Sequence, residues 1–142
     1  MTPDLNGKWT GELVYDESFG KLANEVLFFV LEISKKGDEF RGSSVDVDGV
    51  GVNPAEARIR GFSDGGKINF VKEYKAIIET EFNSAVFNPA NRKGAEMSFS
   101  GSYNSTANEF EGEWISLTDF ITFNNNIPGG FRGGRWRMRK EP

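Results

Sequence analysis

The chain of 142 residues contains neither cysteine nor histidine. Their absence excludes disulfides, thiolate nucleophiles, Ser-His triads, His/Cys zinc sites and a histidine-ligated haem. An enzyme built on this sequence would have to work with carboxylates, Lys, Tyr or a metal held by oxygen atoms. Long apolar runs are missing too. The longest, "VLFFVL" at residues 26–31, falls far short of the roughly 20 residues that a spanning helix needs. The opening "MTPD" carries no basic segment followed by an apolar one, so we expect a cytoplasmic protein without a membrane span. A net charge of −4 argues against general nucleic-acid binding.

What the chain has in plenty is phenylalanine, with 13 copies, and glycine, with 17. That pairing, with no sustained helical period, points to an all-β protein rich in turns. Alternating apolar and polar residues mark strands at 7–15, 26–34, 39–47, 56–63, 67–77, 95–103, 109–117 and 134–140. No linker divides them, and the length suits one β-barrel domain over residues 1–142.

The connections alternate in length. "KKGD", "DGG" and "STAN" read as tight hairpin turns, whereas the other links are long. In an up-and-down meander every second connection lies at the same end, so the long loops gather at one end and the tight turns close the other. A recurring unit supports closure: a large apolar residue two places before a glycine, as in Trp9/Gly11, Phe40/Gly42, Ile59/Gly61 and Phe99/Gly101. Both members point to one face, where an inward glycine relieves crowding as a strand coils past a bulky neighbour. The expected fold is an eight-stranded antiparallel up-and-down barrel.

"LNGKWTGEL" over residues 5–13 resembles the Gly-x-Trp signature that opens lipocalins and avidins, the calycin group of barrels. "GGRWRMRK" is similar to that group's final strand, where a basic residue packs near the first-strand tryptophan. The resemblance implies a calycin-like barrel that binds a small ligand, with Arg139 or Lys140 covering Trp9 at the turn-closed end. In avidins a polar ligand contact follows this tryptophan by two positions. Gly11 stands there, so a biotin reading lacks a principal contact and is set aside.

Strand parity turns Tyr15, Phe29, Phe70, Lys72, Tyr74, Met97, Phe99, Trp114, Ser116, Trp136 and Met138 inward. Tyr15, Lys72, Tyr74, Met97, Trp114, Ser116 and Trp136 fall toward the long-loop end and form the candidate ligand site. Aromatic walls with few polar groups suit a small apolar or amphipathic ligand. The alternative is a packed core whose Tyr and Trp tips reach the rim. Lys72 lies in an apolar row, "KINFVKEY", and if buried needs a carboxylate or an acidic ligand. Otherwise a bulge or a snorkelling stem takes it outward.

Asp46 and Asp48, in "DVDGVGVNPAE", resemble the start of a calcium loop, but Gly49 comes too early and no bidentate Glu follows at the required offset. They read as turn formers, and neither a metal nor a cofactor is expected. Phe40, Gly42 and Asp46 share one face of their strand while Val45 and Val47 claim the same side, a conflict that a bulge near Ser43-Ser44 would resolve. Arg135, Arg137 and Arg139 face outward beside the outward Glu109, Glu111 and Glu113, which predicts charge compensation across a ladder instead of a phosphate site. Phe82, Phe87, Phe120, Phe123 and Phe131 in the long loops read as a lid or as contacts between copies of the chain.

These observations lead to a non-enzymatic barrel that binds a small, largely apolar and acidic ligand at its long-loop end. A filled barrel that makes an oligomer is the second reading. An acid/base enzyme using Lys72 and Tyr74 is the third, and nothing in the spacing supplies it with a nucleophile or an oxyanion site.

Overall fold

A computed structural model describes residues 4–74, 96–116 and 132–142. Eight antiparallel strands close into a barrel in simple sequence order, with β8 paired back onto β1. They are β1 (Gly7–Tyr15), β2 (Val26–Lys36), β3 (Glu39–Gly49), β4 (Ala57–Asp64), β5 (Lys67–Tyr74), β6 (Glu96–Asn104), β7 (Glu109–Ser116) and β8 (Gly133–Lys140). Every strand end clear of the undescribed residues falls within two residues of the boundary that the alternation predicts, and the expected ends at 77, 95 and 117 lie outside the described residues. The two-residue turn after β4 places Gly65 and Gly66 at φ 55° and 88°, the left-handed geometry of a tight hairpin. The loop phenylalanines Phe82, Phe87, Phe120, Phe123 and Phe131 lie outside the described residues. No helix among the described residues is long and apolar enough to cross a membrane.

The interior is filled with rings through its middle. Phe70 stacks on Phe99 at 4.7 Å, and Trp136 meets both edge-on at 5.5 and 5.6 Å. The Trp136 indole N–H is shared between the Ser100 and Glu113 carbonyls at 3.1 and 3.0 Å, which fixes the ring across two strands. The glycine repeat makes this density attainable: a Cβ on Gly101 would sit 2.9 Å from the Trp136 ring and 2.2 Å from the Glu111 carbonyl oxygen. A Cβ on Gly11 would strike the Phe29 ring at 2.5 Å.

On the outer wall Glu111 stands opposite Arg137 and Glu113 opposite Arg135, the expected acidic row against a basic one. The guanidinium of Arg137 nevertheless turns to Glu12 at 3.4 Å and Glu109 at 3.9 Å. In a closed barrel β8 has a second neighbour, β1, and Glu12 is opposite Arg137 on that side. Arg137→Glu should therefore cost on the order of 1 kcal/mol at low salt, less as salt is added. Adding Glu12→Arg should recover more of the loss than adding Glu111→Arg, as read by thermal unfolding of the three variants.

Candidate functional site

Lys72 is fully buried on the inner face of β5, and neither snorkels nor turns outward. Its Nζ donates to Asp46 Oδ1 at 3.1 Å, with both side chains wholly removed from solvent. The ammonium also lies over the Phe29 ring at 4.6 Å and the Tyr74 ring at 5.0 Å, where the negative ring faces help to hold it. Tyr74 Oη is 2.9 and 2.8 Å from the two Asp46 oxygens, and the Asn53 backbone N–H donates to Oδ2 at 3.0 Å. The result is a buried Asp46–Lys72–Tyr74 cluster inside a largely apolar barrel.

Asp46 was not among the sequence-predicted site residues. The conflict in its strand has a different resolution from the one expected. Phe40, Ser44 and Asp46 are buried while Val45 and Val47 are exposed on the outer wall, so parity runs unbroken through Ser43-Ser44. The bulge comes later, where Phe29 faces Asp46 and Phe28 faces Asp48, leaving Val47 unpaired. Asp46 thus points in and Asp48 points out, and the two do not converge as calcium ligands. Of the two counter-charges that a buried Lys72 could take, a carboxylate or an acidic ligand, the structure supplies the first, Asp46.

The loop after β3 explains how Asp46 is held. Gly49 and Gly51 take φ 105° and 84° and curl the chain back over the mouth. Tyr15 Oη donates to the Val50 carbonyl at 2.8 Å, and a Cβ on Gly51 would lie 2.5 Å from the Tyr15 Oη. Only glycine meets both demands, the positive φ and the close approach. Asn53 then follows at the position from which its N–H reaches Asp46.

Burial is the main force on Lys72 and pushes its ammonium below the ordinary value of 10.5, opposed by the charge of Asp46 and then by its hydrogen bond. Burial first, and the Asp46 charge second, push the Tyr74 phenol far above its ordinary value of 10.0. The Tyr74 phenol therefore stays protonated where a free tyrosine ionises.

The other predicted residues divide by depth. Met97 lies directly opposite Lys72, half-buried, and Ser116 is buried opposite Met97. Tyr15 and Trp114 meet edge to face at 5.7 Å, and Trp114 Nε1 donates to the Val14 carbonyl at 3.2 Å. Phe19 packs against both at 4.8 and 5.6 Å. It comes from a 3-10 segment (Glu17–Leu22) between β1 and β2 that the alternation did not reveal. Trp136 sits deeper, in the filled middle of the barrel, and does not share the mouth with Tyr15 and Trp114.

No family model and no curated protein matches the chain. Among solved structures it is similar to apo shwanavidin, with a TM-score of 0.57 at 14% identity over 99% of this chain and 100% of that one. A second crystal form of the apo protein gives 0.56 at 14% identity, covering 99% of each chain. A low-affinity mutant of shwanavidin gives 0.56 at 15% identity, covering both chains completely. At these identities the likeness establishes the fold alone: a closed, eight-stranded antiparallel barrel like that of shwanavidin.

Proposed function

We propose that this protein is a non-enzymatic barrel that binds a small, largely apolar ligand at its long-loop end, against Tyr15, Lys72, Tyr74, Met97, Trp114 and Ser116. One observation carries the reading: a charged cluster is buried among aromatic rings at that end. Apolar side chains of similar volume in place of a buried ion pair are often as stabilising or more so. Packing alone therefore gives the barrel little reason to hold Asp46, Lys72 and Tyr74 there. A polar group set in apolar walls is what orients a small molecule. The shared fold with a protein known in apo form and as a low-affinity mutant supports a binding role. The acidic group expected of the ligand loses its physical ground, because Asp46 already neutralises Lys72.

A filled-barrel oligomer is the second reading, favoured by the outer wall. Phe28, Val45 and Val47 are 38, 40 and 53% exposed on neighbouring strands. A groove of about 410 Å³ also runs over β3–β6 beside the exposed Phe62. Native mass spectrometry of protein purified without refolding tests both readings together. A bound small mass on each chain supports the binding barrel. Ligand-free oligomers, with no change in tryptophan fluorescence across a broad panel of small molecules, would sink it and leave the second reading standing.

A further inference from the structure

Resting on that reading, we infer that the buried cluster recognises a neutral hydrogen-bond acceptor on an apolar ligand, such as a ketone, ester or ether oxygen, in preference to a carboxylate. The hydrogen-bond accounting leads there. Asp46 is spent as an acceptor: Oδ1 is within reach of Lys72 Nζ and Tyr74 Oη, and Oδ2 of Tyr74 Oη and the Asn53 N–H. Lys72 is not spent as a donor. An ammonium carries three N–H groups, and among the described residues Asp46 alone accepts from it. Its other close neighbours are the ring faces of Phe29 and Tyr74.

Ser44 supplies the second, independent observation. Its side chain is completely buried, and its Oγ has no partner among the described residues. It lies two residues before Asp46 on the same inward face of β3. A hydroxyl and an ammonium left with unspent donors in a dry interior are each costly, and the cost falls when an acceptor arrives.

Charge decides what kind of acceptor. The pair Asp46–Lys72 is neutral, and Tyr15, Met97, Trp114 and Ser116 carry no charge, while the Arg132 guanidinium at this end lies over the Phe19 ring at 5.7 Å. A ligand carboxylate would bring a second negative charge to a lysine already committed to one, and would have to shed its hydration to reach it. A neutral oxygen meets the spare donors without that penalty. Met97, opposite Lys72 and half-buried, is an unbranched side chain that can repack around an apolar stem.

The test is a matched pair of probes of equal size, 4-phenylbutan-2-one and 3-phenylpropanoic acid, titrated at pH 7 against the full chain. Intrinsic tryptophan fluorescence and the ¹⁵N-lysine side-chain signal of Lys72 are the readouts. The ketone should bind at least tenfold tighter than the acid and shift the Lys72 signal. Ser44→Ala keeps the ion pair and should weaken the ketone several-fold, with little change in the affinity of the acid. Lys72→Met should weaken the ketone further, and Ser44→Ala remains the informative variant if that protein does not fold. Tighter binding of the acid, with a Lys72 shift, would overturn the inference and leave the binding barrel intact. So would a Ser44→Ala protein with unchanged ketone affinity. If neither probe nor any of a wider panel binds, and ordered water occupies Ser44 and Lys72 in a crystal structure, the inference and the binding reading fall together.

Discussion

Replacing Asp46 by alanine should lower the stability of the barrel by about 3–5 kcal/mol, the usual consequence of removing one partner of a buried ion pair. The loss has three sources. Lys72 is left without a counter-ion at 0% exposure and must either carry a bare charge or give up its proton. The Tyr74 hydroxyl loses its acceptor, and the Asn53 N–H loses the bond that ties the loop after β3 to the wall. Urea unfolding should show a lower midpoint with an unchanged slope. The triple change Asp46→Leu, Lys72→Met and Tyr74→Phe removes the whole cluster and should return most of the lost stability. A triple variant less stable than Asp46→Ala would instead make the cluster a structural element, contrary to the binding role proposed for it.

The same cluster sets the alkaline pH profile, with two opposed signs. The folded-state value of Lys72 is lowered, so with rising pH the folded protein releases this proton while the unfolded chain holds it up to 10.5. The unfolded state then binds more protons, and stability rises with pH across the interval below 10.5. Tyr74 acts the other way. Its folded-state value is raised, so above 10.0 the unfolded phenol ionises while the folded one does not, and stability falls. Unfolding free energies between pH 7 and 11 should therefore climb and then turn over near pH 10. Lys72→Met should remove the climb and Tyr74→Phe the fall.

The strands could be read from the sequence because alternation is a strong signal where one face of a sheet is dry. "GKWTGELVY" and "KINFVKEY" each bury every second residue, or nearly so. The tight turns were legible for the same local reason, since glycine and Asn mark them. Asp46 escaped because hydrophobicity and parity disagree in "SSVDVDG": Val45 and Val47 are the apolar residues, yet they face out. Carrying the parity of Phe40 and Gly42 through Ser44 would have turned Asp46 inward, toward the lysine that needed a carboxylate. What sequence could not supply is depth. Trp136 shares the inward face with Trp114, and the register between β7 and β8, which pairs Trp114 with Gly134, sets it two positions deeper, against Phe70 and Phe99. Phe19 lay in a stretch without period, so nothing local announced that it would cover Tyr15 and Trp114.

Trp9→Ala should cost about 3–5 kcal/mol, as other buried aromatic truncations do, while leaving any ligand response of Trp114 in place. Trp9 is fully buried at the turn-closed end, with its indole N–H donating to the Leu5 carbonyl at 2.9 Å and its ring 5.5 Å from Phe110. Lys140 closes the arrangement as the resemblance implied: its Nζ lies over the Trp9 ring at 5.9 Å and donates to the Asp4 carbonyl at 2.6 Å. One ring thus ties together the chain before β1, the end of β8 and the inner face of β7. Trp9→Phe keeps much of the volume but loses the hydrogen bond to Leu5, and should fall between the parent and the alanine variant in urea midpoint. The mouth cluster lies at the other end of the strands. A Trp9→Ala protein of parental stability that no longer bound a ligand of the parent would reverse the two ends of the barrel.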